Sequence, residues 1–236
     1  MTAPEGQVAV VARLADAGGL GLRAPASAAS FPAVRLADPT WTAEVLALRA
    51  PGQRTGDRRV LATVWWYSVS SVLLTPPLAG LVTGVPLSAR LPDLEVSVLR
   101  GASPVAAVAA GPGSGDLAAD LRQTLAAVVA AVAEAGGMRE RPLWAIATDA
   151  LANRLLALGR AVRDVPAATA LAAPLAAAVG PPLPMPRYEE VRGVRFVRRA
   201  SCCLLCRVPG GPVCISCPRR PPAERLRLLE TVASRG

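Results

Sequence analysis

The sequence predicts an α+β protein that is mainly helical: a helical body with a small antiparallel strand pair, followed by a C-terminal cysteine-rich segment. Three observations carry this expectation. Hydrophobic residues make up 52% of the 236, with aromatics only 3%, so Ala, Leu and Val must build a sizeable core. Leu94–Val98 and Val105–Ala109 are short runs separated by Arg100-Gly101-Ala102-Ser103-Pro104, whose turn chemistry suits a strand pair. Composition then changes at Gly-Pro-Pro-Leu-Pro-Met-Pro (180–186), and all five cysteines lie beyond it, between Cys202 and Cys217. The expected organisation is a helical body over 1–180, a semi-rigid proline-rich hinge over 180–186 and a C-terminal region over 187–236.

The elements follow in order. Residues 6–17 and 41–50 are expected as short helices, with the Gly/Ala/Pro/Ser-rich stretch 18–40 as a connector. Asp57 is a plausible N-cap for a strong helix over 57–74, expected to end at Thr75 before Pro76-Pro77, with a shorter apolar helix over about 77–84. After the strand pair and Gly-Pro-Gly-Ser-Gly (111–115), helices are expected over 116–135, stopped by Gly136-Gly137, over 141–163, and over about 167–178. The Gly-rich stretch reads as a linker rather than a phosphate loop. Val191 to Val197 alternates Val and Arg as a half-exposed strand does, and Pro221-Pro222 opens a last helix over 222–234. No internal repeat is visible.

Val60 to Ala89 contains no charged residue and is long enough to span a bilayer. Pro76-Pro77 interrupts it, seven Ser and Thr residues break its apolar character, and Trp65, Trp66 and Tyr67 sit together rather than at two interfaces. A buried core helix is the expectation, with peripheral membrane contact as an alternative. Core packing is likewise expected for Trp65, Trp66, Tyr67 and Trp144, with a ligand cleft as the other reading. The start, Met-Thr-Ala-Pro-Glu-Gly-Gln, lacks a basic stretch followed by an apolar run. An odd number of clustered cysteines argues against a disulfide framework. A cytoplasmic location is expected, with the inner face of the membrane as an alternative.

The net charge of +9 is carried by arginine alone, since there is no lysine, and histidine is also absent. Residues 187–236 hold eleven Arg against four Glu, so the basic character belongs to the cysteine region, and its contents or partner should be anionic. A nucleic-acid-binding regulator with a sulfur-ligated metal fits the basic tail. The tail, however, has one Phe, one Tyr and no recognised reading motif, and that function leaves the apolar body unexplained. No Gly-rich dinucleotide fingerprint follows a strand, so NAD(P)H binding is not expected.

Clustered thiols without histidine suggest one all-sulfur metal centre, and soft thiolates select iron–sulfur clusters, zinc or copper(I). Spacing leaves two ligand sets open. Cys203, Cys206, Cys214 and Cys217 form C-x2-C-x7-C-x2-C. A hairpin centred on Gly210 would set 206 opposite 214 and 203 opposite 217, making a tetrahedral site of the zinc type. Cys202, Cys203, Cys214 and Cys217 form C-C-x10-C-x2-C. Adjacent strand residues point to opposite faces, so this second set needs an irregular backbone or a cluster whose two irons the pair straddles.

The segment Phe196-Val197-Arg198-Arg199-Ala200-Ser201-Cys202-Cys203-Leu204, then Arg207-Val208-Pro209-Gly210-Gly211, then Cys214-Ile215-Ser216-Cys217-Pro218 resembles the C-terminal signature of the FhuF-type ferric-siderophore reductases. The likeness is close over about 25 residues and loose elsewhere. It implies a [2Fe–2S] cluster held by Cys202, Cys203, Cys214 and Cys217, with Zn2+ as the alternative metal. It also implies one-electron reduction of siderophore-bound ferric iron and an external donor such as a ferredoxin, a flavodoxin or a flavin reductase. Cys206 departs from the family pattern, where that position is commonly aromatic, and is a candidate substitute ligand. A four-thiolate two-iron cluster is anionic and becomes more so on reduction, so nearby cations favour the reduced form. Arg198, Arg199, Arg207, Arg219 and Arg220 are nearest in sequence for that task, and Arg198, Arg199 and Arg207 are the candidates for contact with the substrate or the donor. A general iron–sulfur electron carrier is the remaining alternative.

Overall fold

In the computed structural model the described residues are 4–235; Met1–Ala3, the first residues of the start inspected above, and Gly236 lie outside them. The described elements are α1 (Glu5–Ala12), β1 (Ala29–Pro32), α2 (Pro39–Gln53), α3 (Arg58–Thr83), β2 (Leu94–Leu99), β3 (Ser103–Ala109), α4 (Leu117–Gly136), α5 (Arg141–Ala161), α6 (Val165–Ala170), α7 (Ala172–Val179), β4 (Tyr188–Val191), β5 (Val194–Val197) and α8 (Pro222–Ala233). The fold is α+β and mainly helical, as expected, with one three-stranded sheet and one two-stranded hairpin.

Burial of the uncharged stretch organises the body. Asp57 caps α3, its Oδ1 accepting from the Val60 amide at 3.1 Å. The helix then packs against α5, β3, α4 and α2. It does not stop at Thr75 but runs through Pro76-Pro77 to Thr83. A proline removes one ladder donor and crowds the carbonyl one turn back. Here every residue from Val72 to Gly80 is buried, so packing on several sides outweighs the local penalty. Trp65 and Trp66 are fully buried, Trp66 Nε1 donates to the Leu143 carbonyl at 2.7 Å, and Trp144 is buried with its Nε1 donating to Glu140. These three tryptophans are core residues. Tyr67, one position further along α3, is only half-buried.

The three-stranded sheet has the order β1-β2-β3, all antiparallel. The β2–β3 pair is the predicted one. The edge strand β1 lies inside the stretch expected to be a plain connector; it is four residues long and ends in Pro32, so it carries no alternation signal. α1 ends at Ala12, short of the expected 17, because the following chain pairs elsewhere: the Ala15 amide donates to the Ala161 carbonyl at 2.9 Å. Buried Gln7 ties α1 to the sheet, donating to Leu22 and Ala107 carbonyls and accepting from the Ala109 amide. The helix expected near 167–178 is two helices, α6 and α7, the first capped by Asp164.

The C-terminal region lies against the body. The single strand expected over 191–197 is instead the β4–β5 hairpin, turned at Arg192-Gly193 with φ of 50° and 76°. Two central residues at positive φ are what a two-residue hairpin turn requires, and the Val/Arg alternation hid it. β5 packs on α5 and α8 on β4. Tyr188 Oη donates to the Ala152 carbonyl at 3.0 Å, and Thr148 Oγ1 to the Pro184 carbonyl at 2.9 Å. Among the described residues no helix is long and apolar enough to cross a membrane.

Gly80 tests the packing of α3. A Cβ there would lie 2.6 Å from the Val85 carbonyl oxygen and 2.8 Å from the Leu87 amide nitrogen, both backbone atoms. Gly80→Ala is expected to lower stability by about 1–3 kcal/mol, read as a lower urea midpoint at unchanged slope.

Candidate metal centre at the cysteine segment

The chain from Cys202 to Cys217 is built from turns. Leu204 is left-handed (φ 57°), and a 3-10 turn follows over Leu205–Arg207. Val208 to Gly211 close a tight turn, with the Gly211 amide donating to the Val208 carbonyl at 2.8 Å and Gly210 at φ 78°. Gly211 has no room for a side chain, since a Cβ would sit 2.0 Å from the Leu205 carbonyl oxygen. A further turn joins Cys214 to Cys217, whose amide donates to the Cys214 carbonyl at 3.2 Å. The turn expected at Gly210 is therefore present, but its arms form no strand ladder, and the symmetric hairpin that set 206 opposite 214 is corrected. The proline and two glycines encode a turn; nothing flanking them encodes strands.

All five cysteines are free thiols; Cys203 and Cys217 are buried and the other three half-buried. Burial pushes the Cys202 thiol up, a contribution from the Leu204 backbone amide lowers it, and the neighbouring Cys217 and Cys206 raise it further. Burial also pushes Cys214 up; Arg199 pulls it down, while Cys217 and Cys203 raise it. Cys217 and Cys206 thus lie near enough to Cys202, and Cys217 and Cys203 near enough to Cys214, to oppose ionisation of those two thiols. Among the described residues no three Cys, Asp or Glu side chains converge as a ready cage for a single ion.

Arg199 connects this group to the body. Its side chain is 4% exposed. Nη1 lies 3.3 Å from Cys214 Sγ and 3.9 Å from Cys203 Sγ, and Nε donates to Asp149 Oδ2 at 3.4 Å. The guanidinium carbon sits 5.1 Å from the centre of the Tyr67 ring, a cation–π contact. Burial lowers the Arg199 pKa, but Cys203, Asp149, Tyr67 and Cys214 more than offset it, and the net shift is upward. The cation is permanent.

Asp149, on α5 and 2% exposed on its side chain, also accepts from the Ala200 amide at 2.7 Å, the Ser201 amide at 3.1 Å and Ser201 Oγ at 2.7 Å. It thus fixes the backbone immediately before Cys202-Cys203. The far side of the segment has its own clamps. Arg220 donates to the Cys214 and Val213 carbonyls and pairs with Glu224. Arg54, in the α2–α3 connection, donates to the Pro209 carbonyl at 2.7 Å.

Of the candidate arginines, Arg199 is inside and touches two thiols, Arg198 is exposed one residue away, and Arg207 is exposed on the 3-10 turn. Asp149 and Arg54 were not singled out from the sequence as site residues, and Tyr67 was named only for core packing or a ligand cleft. Asp149 carried a visible signal as the lone charge in Leu143–Ala152. What the structure brings together is a buried cation, Arg199, donating toward the sulfurs of Cys203 and Cys214, a charge that suits anionic sulfur. Compared with known proteins, the chain matches no family model, no curated protein and no solved structure.

Asp149→Ala would leave Arg199 buried without its carboxylate and two amides without acceptors. Removing one partner of a buried pair costs about 3–5 kcal/mol. Faster amide hydrogen exchange over 198–203, with α3 and α4 still protected, is the expected result.

Proposed function

We propose that this protein is a [2Fe–2S] ferric-chelate reductase of the FhuF type, holding its cluster through Cys202, Cys203, Cys214 and Cys217 in a reducing cytoplasm. The observation that carries the reading is Arg199: a permanently charged guanidinium, buried between Asp149 and Tyr67, donates toward Cys203 and Cys214. When bound, the cluster supplies a one-electron store, filled by an external ferredoxin, flavodoxin or flavin reductase and emptied onto siderophore Fe3+, which leaves as Fe2+.

The residues of this chain do the positioning. Asp149 holds the Ala200 and Ser201 amides, so the adjacent thiols of Cys202 and Cys203 are presented on irregular backbone rather than on a strand. Arg199 places positive charge against thiolate sulfur in a site with little water, where it counts for more than at the surface. Arg220 and the Gly210–Gly211 turn hold Cys214 and Cys217 on the opposite side. Hard anionic oxygens suit Fe3+ better than Fe2+, so the reaction requires no acid–base pair in the chain.

Protein purified without oxygen is expected to be red-brown, with two irons and two sulfides and a paramagnetic signal after one-electron reduction. A colourless protein with one zinc would overturn the reading. Cys202→Ser is expected to lose or rewire the cluster and Cys206→Ser to keep it; the reverse pattern assigns Cys206 as the ligand.

Arg199→Gln is expected to lower the midpoint potential by about 60 mV, which is tenfold in a one-electron equilibrium. The negative charge of the reduced form loses its nearest buried cation. Spectroelectrochemical titration reads this shift, which a merely structural role for Arg199 would not produce.

A further inference from the structure

A cavity of about 290 Å³ opens on the Asp149–Arg199 pair, lined by no cysteine. Its charged lining is Arg187, Arg198 and Arg199 against the single acid Asp149. Asp149 is already filled by Arg199, two amides and the Ser201 hydroxyl, so it has little capacity left for a ligand and balances only one of the cations. Arg187 and Arg198 are exposed neighbours, the Arg198 amide donating to the Arg187 carbonyl at 2.9 Å. Among the described residues neither forms an ion pair. Arg199 Nη2 is buried and has no hydrogen-bond partner. The rest of the wall is largely apolar, including Ala152 and Val197.

We propose that this cavity seats a carboxylate-bearing arm of the ferric chelate, a placement that rests on the reductase reading above. Two arginines at one rim present planar donor forks, which match carboxylate oxygens in pairs, and the apolar wall accepts a short hydrocarbon chain. The volume takes one arm of a chelate and leaves the metal outside. Arg199 is shared: it lines the cavity and lies 3.3 Å from Cys214 Sγ, so the seated arm is one side chain away from the thiols. Arg207 is absent from the lining and has no part in this contact.

Gallium(III) citrate tests the assignment, since it offers free carboxylate arms and cannot be reduced. Equilibrium dialysis with the metal-loaded protein is expected to show binding that Arg187→Ala and Arg198→Ala each weaken about tenfold, the size of one charge-assisted hydrogen bond. Arg227→Ala, an exposed change of equal charge on α8, is expected to leave binding as it is. Absence of binding, or equal loss in all three variants, overturns the proposal. Citrate alone or inorganic phosphate binding as tightly as the gallium chelate also overturns it, leaving a simple anion site. If the purified protein carries no iron, the reductase reading fails, and the same dialysis on that protein still decides whether Arg187 and Arg198 hold a carboxylate arm of a metal chelate.

Discussion

A carboxylate buried in the middle of an apolar helix is tolerable only if its lone pairs are occupied. Asp149 meets that condition entirely with groups from the cysteine segment: the Arg199 guanidinium, the Ala200 and Ser201 amides and the Ser201 hydroxyl. The dependence runs both ways. Without the segment, α5 would carry an unsatisfied buried charge. Without Asp149, the residues leading into Cys202-Cys203 would lose the contacts that set their course. The position of the thiols relative to the body is therefore fixed from the body side.

The same pair controls the electrostatics. A guanidinium as deeply buried as Arg199 would be costly alone; Asp149 compensates one side of it, the Tyr67 ring covers a face, and the thiols of Cys203 and Cys214 receive Nη1. Arg154, on α5 near Tyr67, shows the contrast: burial lowers its pKa with only Tyr67 opposing the shift.

Much of the body was legible because its signals are local. Asp57 stands before α3 and does cap it, and Gly137, in the pair expected to stop α4, ends it in the left-handed region. The failures are also physical. Pro76-Pro77 reads as a break from local sterics alone, and only packing around α3 reverses that. Arg192-Gly193 makes a turn inside what looks like an alternating strand, because arginine at positive φ leaves no compositional trace. In the candidate site the cysteines were plain from their clustering. Asp149 and Tyr67 were not, since a lone acid and a tyrosine on core helices gain meaning only when a segment about fifty residues beyond Asp149, and over 130 beyond Tyr67, folds back onto them.

The C-terminal region buries few apolar side chains, and one of them, Val197, packs with Ala152 and Leu156 of α5. Its buried apolar side chains are Val191, Val197 and Leu229, together with Cys203 and Cys217. That is little for fifty residues, in a size range where isolated segments usually need a metal or a partner surface to hold a fold. Here α5 is the partner surface, and Arg199 faces Asp149 with Nε and the thiols with Nη1. Docking orders the guanidinium before any metal is bound, and a bound anionic centre would in turn strengthen the hold of the docked arginine. By linkage, whatever one association contributes to the other is returned equally. A free cysteine peptide would have to order its turns and bury a cation at the moment of metal binding, and α5 removes both requirements beforehand. On this view the apolar body serves as the template that keeps the thiols gathered around a fixed positive charge.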